Sequence, residues 1–198
     1  MRKNRKWIII GIILIFLLII YSSVRNTYNQ MVALSESVEK QWSDVENQFQ
    51  RRADLIPNLV NTVKGYADFE QETLTEVIEA RSKATSVNIN PENLTSESLQ
   101  QFQQVQAGLS GALSRLLVVI ERYPDLKANQ NFLELQAQLE GTENRISVER
   151  RKFNESTRAY NTYIKQFPKN IYAGIFNFDA RPYFEAEQGS EVTPKVEF

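Results

Sequence analysis

The chain has 198 residues, a formal net charge of −1, no cysteine and no histidine. That length suffices for one domain with a real core plus appendages, and the balanced charge gives no basic field for nucleic acid. Without cysteine there are no disulfides, thiol nucleophiles or iron–sulfur clusters; without histidine, Ser-His-Asp and Cys-His chemistry and the commonest metal ligand are excluded. No Asp-rich calcium loop is present either. The expectation is a protein that is not an enzyme, with no catalytic residues, no metal and no cofactor.

The N-terminus, MRKNRKWIIIGIILIFLLIIYSSVRN, places Arg2, Lys3, Arg5 and Lys6 before an uncharged run that begins at Trp7. Residues 7–24 make about 27 Å of helix, just short of a hydrocarbon core, and Trp7 and Tyr21 bracket the run as interfacial aromatics do. The rival reading is a cleaved signal peptide, but the run is long for one and no small-x-small cleavage site follows it. A single membrane span is expected, residues 1–24 being basic flank and anchor. Four basic residues precede the span and Arg25 follows, so the positive-inside rule puts the N-terminus in the cytoplasm and the rest outside a bacterial cell membrane.

From Tyr28 the spacing alternates three and four: Tyr28, Met31, Ser35, Val38, Trp42, Val45, Phe49, Arg52, Ile56, Leu59, Val63, Tyr66. A 3.5-residue period of this length predicts a helix packed by knobs into holes, a coiled seam running on from the membrane helix. Two residues interrupt the apolar rule. Pro57 lies inside the helix, withdraws the hydrogen bond to the carbonyl of Ala53 and predicts a kink, with a signalling hinge as the functional alternative. Arg52 occupies the seam and needs a carboxylate from another helix; Asp54 points elsewhere, and Glu143, near the apolar seam of the last long helix, is the candidate. Such a pair would fix register.

Asp68 with Gln71 predicts a capping box for a second helix ending near Thr85. SVNINPENLTS reads as a loop. A third helix begins near Ser96 and aligns Leu99, Phe102, Leu109, Leu113, Leu116, Ile120 and Tyr123, ending at Tyr123-Pro124. Its glutamines Gln100, Gln101, Gln103, Gln104 and Gln106 read as a solvated surface. Asp125 opens a fourth, carrying Leu135, Leu139, Ile146, Phe153, Tyr160 and Phe167 up to Pro168. Beyond it, the aromatic stretch with Ile171, Tyr172, Phe176, Phe178, Tyr183 and Phe184 either fills one end of the core or forms an interaction surface. The expected fold is all-α: a transmembrane helix continuing into an elongated antiparallel four-helix bundle over residues 25–184, with 185–198 a polar, disordered tail.

Several of these stretches resemble the LemA family of bacterial membrane proteins. They are RRADLIPNLVNTVKGY (residues 51–66), the later Glu79-Ala80-Arg81, Tyr28-Asn29, Trp42-Ser43, Tyr123 to Lys127, and Tyr160-Asn161 before Phe167-Pro168. The resemblance covers roughly residues 24–184. Two positions depart: Phe69 stands where many members carry histidine, and Phe153-Asn154 replaces a second Tyr-Asn. The resemblance implies one N-terminal membrane helix, an extended helical domain, no established enzymatic activity, and links of some relatives to compartments such as magnetosomes. It also implies an external N-terminus, against the charge argument, which we retain.

Two functions follow as expectations. The first is a membrane-anchored, non-catalytic interaction or scaffold module with protein partners, or a second copy of itself as a homo-oligomer. The second is a sensor that binds a small ligand between helices where Ala107, Gly108, Gly111 and Ala112 leave space.

Overall fold

The computed structural model describes residues 2–65 and 70–185. Among them there is no strand. Six α-helices follow in order: α1 (Arg2–Lys64), α2 (Gln71–Ser86), α3 (Ser96–Ile120), α4 (Pro124–Lys127), α5 (Gln130–Lys165) and α6 (Lys169–Phe176), with a 3₁₀ turn at Pro91–Asn93 before α3. The fold is all-α, as the helical spacing predicts.

Local chemistry sets most of the boundaries. The Thr95 side chain accepts from the Ser98 amide and the Ser98 hydroxyl accepts from the Thr95 amide, both at 3.1 Å, closing a capping box on α3. Pro124 occupies the first turn of α4, where its missing N–H costs nothing. The long helix expected from Asp125 instead starts at Gln130. Asp125 belongs to the separate turn α4, and the Asn129 side chain accepts from the Phe132 amide to begin α5. α6 ends at Asn177, a residue tolerant of the left-handed region, at φ 58°. The capping box expected at Asp68, the seam position Tyr66 and the tail beyond Glu185 lie outside the described residues.

The residues form two units, to which α1 and α5 both contribute. The second unit comprises Gln41–Glu155 and the chain from Pro182. In it, α1 runs antiparallel to α5, because Gln41 bonds Glu149 while Arg52 bonds Glu143. α2 runs antiparallel to α3, with Gln106 on Ala84 and Arg115 on Glu76. The seam from Trp42 to Val63 is buried throughout, and it meets Leu74 and Val77 of α2, Leu109 and Leu116 of α3, and Phe132 of α5. The expected loop before α3 also buries Ile89 and Leu94, apolar plugs too isolated in sequence to show a period.

The first unit comprises residues up to Lys40 with Ser156–Arg181. Met31, Val38, Tyr160 and Ile164 are its buried side chains of size, and Thr157 and Asn161 are buried with them. Phe167, expected on the seam of α5, is instead 81% exposed, because α5 stops at Lys165 and Ile164 takes the inward position. Upstream, α1 is the helix among the described residues long and apolar enough to cross a membrane; its 18-residue apolar window has a mean hydropathy of 2.1, and none of it is buried.

Candidate functional site

Arg52 is the largest buried charge in the second unit, 1% exposed. A guanidinium there loses its water and must be repaid in hydrogen bonds. Its NH1 donates to Glu143 Oε1 at 2.5 Å and to Ser110 Oγ at 2.8 Å; its NH2 donates to the Gln106 side-chain oxygen at 2.6 Å and to the Gln106 carbonyl at 3.3 Å. The Phe49 ring lies against the guanidinium, 5.2 Å from centroid to Cζ. Gln106 Nε2 donates onward to the Ala84 carbonyl. One polar knot therefore reaches α1, α3, α5 and, through Gln106, α2. Gln106 is buried, unlike the exposed Gln100, Gln101 and Gln104, so the solvated reading of that face fails at this residue. Its signal was position: Gln106 lies four residues from Phe102 and three from Leu109, on the inward stripe.

Pro57 sits on the exposed side of α1. Lacking an N–H, it frees the Ala53 carbonyl, and Arg81 Nε of α2 donates to that oxygen at 2.7 Å. The two distant motif residues, Pro57 and Arg81, are thus parts of one arrangement. Spacing along one chain could not have paired them.

The aromatic segment divides. In the second unit Phe184 is buried: it stacks on Trp42 at 5.9 Å, meets Phe153 edge-on at 5.3 Å, and lies under the Arg150 guanidinium. It is core, not surface. Asn154 holds the same residue's backbone by two bonds, donating to the Phe184 carbonyl at 3.0 Å and accepting from its amide at 2.9 Å. Glu185, assigned to the tail, accepts from Arg150 and Gln103 through its carbonyl. Tyr183 is 42% exposed.

In the first unit, Asn161 repeats the device on Arg181, at 2.8 and 2.9 Å. The Tyr160 hydroxyl donates to the Asp179 carbonyl at 2.9 Å. Burial first, then the charges of Asp179 and Glu39, hold that phenol above its ordinary value of 10.0, against the opposing pull of Arg181. Phe176 and Phe178 meet Tyr28 edge-on, at 5.1 and 5.6 Å, while Tyr172 is half-buried and Ile171 exposed.

The profile of the LemA family matches residues 41–198. The chain belongs to the LemA family. The match begins later than the resemblance, which runs from about residue 24, and extends past Phe184. The chain is 25% identical to "Magnetosome protein MamQ 2" of Paramagnetospirillum magneticum, over 85% of this chain and 70% of that protein. It is 24% identical to "Magnetosome protein MamQ" of Magnetospirillum gryphiswaldense at the same coverage. With "Protein LemA" of Metamycoplasma hominis it shares 25% identity over 81% of this chain and 69% of the relative.

Motif residues that carry the family resemblance have structural occupations here: Arg52, Pro57 and Arg81 in buried or freed-backbone contacts, Trp42 and Tyr160 in packing, Asn161 in a backbone clamp; Phe153 and Asn154, which depart from the pattern, are likewise packed and clamped. The described residues hold no group of three or more Asp or Glu placed for a metal. The small-residue stretch divides: Ala112 is buried in the core and Gly111 half-buried, while the other two depart from expectation. Ala107 and Gly108 face outward, and a Cβ on Gly108 would meet nothing within 4 Å, so they do not line a gap between helices.

Proposed function

We propose that this protein is a membrane-anchored, non-catalytic interaction module. The observation that carries the reading is the unburied apolar window of α1 in a helix that continues into the folded part. A bilayer is the environment in which such a helix needs no protein cover. Arg52 and Arg81 are engaged in bonds between helices, and Tyr160 and Asn161 in bonds to the chain after α6. What remains for function is exposed surface and position at a membrane. The relatives named as magnetosome proteins support a role tied to a specialised compartment.

The orientation is N-terminus in the cytoplasm, helical part outside, from Arg2, Lys3, Arg5 and Lys6 before the span against Arg25 after it. The test of function is crosslinking of the tagged full-length protein in living cells, with neighbours identified by mass spectrometry. A small reproducible set of partner proteins is the expected result. Crosslinks to other copies alone would replace the scaffold reading with an oligomeric structural element.

A further inference from the structure

The exposed apolar surface of the first unit has a pattern of its own. Phe167, Ile171 and Ile175 follow at intervals of four and are 81%, 51% and 65% exposed. Ile171 and Ile175 share one face of α6, since residues four apart do so on a helix, and Phe167 stands exposed in the turn that precedes it. The opposite side packs inward through Ala173, which is 6% exposed. From Lys165 to Phe178 the sequence is KQFPKNIYAGIFNF, with two lysines and no acidic residue.

The place of this face follows from contacts within that unit. The chain passes the level of Ser35 and Glu39 at Asn161, which is bonded to Arg181, whose guanidinium reaches both of those side chains. It returns there at Arg181 itself. Between the two passages it makes an excursion that includes α6 and meets α1 at Tyr28. Tyr28 lies four residues beyond Val24, about 6 Å along the helix from the end of the apolar run. The polar zone of one leaflet is itself about 5–8 Å deep. α6 is about 12 Å long, so it is held at the membrane end of the unit.

We propose that α6 is an interfacial membrane helix, its Ile171 and Ile175 face and the preceding Phe167 lying in the boundary between headgroups and acyl chains beside the α1 span. This rests on the anchored reading above. The occupant is lipid because any bilayer that takes the span brings headgroups to Tyr28, and because a short apolar face with Lys165 and Lys169 at its N-terminal side and no acidic residue before Asp179 suits an anionic surface. A partner protein would have no need of that proximity.

The absence of native cysteine allows single-site labelling of the full-length chain. Ile171→Cys, Ile175→Cys, Phe16→Cys within the span and Glu134→Cys on exposed α5 would each carry an environment-sensitive fluorophore. The proteins are placed, at no more than one per vesicle, in phosphatidylethanolamine–phosphatidylglycerol bilayers with spin-labelled lipid. Expected is severalfold stronger quenching at 171 and 175 than at 134, strongest with the spin near the headgroup, and an aqueous signal at 171 once Ile175→Glu is added. Water-like emission at 171 and 175 with Phe16→Cys quenched would overturn the proposal and leave the anchor standing. Blue-shifted emission without lipid quenching would overturn it in favour of protein contact. Absence of quenching at position 16 as well would remove the anchor and the inference together.

Discussion

Arg52 commits its two terminal nitrogens to three side chains and a backbone carbonyl, and its partners are unequal. Glu143 is 45% exposed in its side chain and can rehydrate; Gln106 is buried and cannot. Arg52→Ala removes volume as well as every donor and strands the buried Gln106 acceptors, and should cost about 2–4 kcal/mol. Arg52→Met keeps the volume and should cost less by about 1–2 kcal/mol. Glu143→Gln preserves an acceptor at a half-open site and should cost about 1 kcal/mol or less. Thermal melts of the three variants in detergent give the order, and Met falling below Ala would remove the knot from the account. Arg81 supports a sharper experiment. Pro57→Ala restores an N–H to the Ala53 carbonyl, so Arg81→Ala should be milder by about 1 kcal/mol in that background than alone, a coupling read from a double-mutant cycle. Tyr160→Phe loses one hydrogen bond, about 1 kcal/mol, at neutral pH. The native phenol titrates above 10.0, so its stabilising contribution is complete below that value and declines as pH rises from it through the folded pKa. The variant should show a smaller alkaline loss in the same melts.

At the scale of elements, the helices were legible where a period ran long enough. The seam of α1 and the inward face of α3 come from spacing alone, and Thr95 with Ser98 fixes the start of α3. Thr95→Ala should cost about 1 kcal/mol, with faster amide exchange confined to the first turn of α3. The break between α4 and α5 was not legible, since the Asn129 cap looks like any other polar residue between apolar ones. The extended residues 181–185 were less legible still. They have no period, and what holds them is side-chain amides on a distant helix. Asn154→Ala and Asn161→Ala each remove two bonds to backbone, and each should cost about 2 kcal/mol by denaturant titration. Phe184→Ala should cost about 3 kcal/mol and redshift Trp42 emission, measured with Trp7→Phe to leave one reporter.

For the molecule as a whole, composition excluded thiol and imidazole chemistry before any motif was read, and the motif RRADLIPNLV marked the family. The composition held no sign of which motif residues meet: Arg52 with Glu143 follows from seam positions, but Arg81 with Ala53 requires the fold. Orientation has its own test. Protease added outside intact cells should cleave the helical part, and complete protection would reverse the topology. The packing of Phe184 has a further consequence, in time rather than space. Trp42 and Phe153 wait for a residue that the ribosome makes long after α1, across a sequence separation that makes the contact slow to form. Until Phe184 is synthesised, a face of the unit beside Trp42 stays open, with the span already available for insertion. Completion of this fold is therefore a late event of biosynthesis, and the stage before it is when a chaperone or protease would find the chain most accessible.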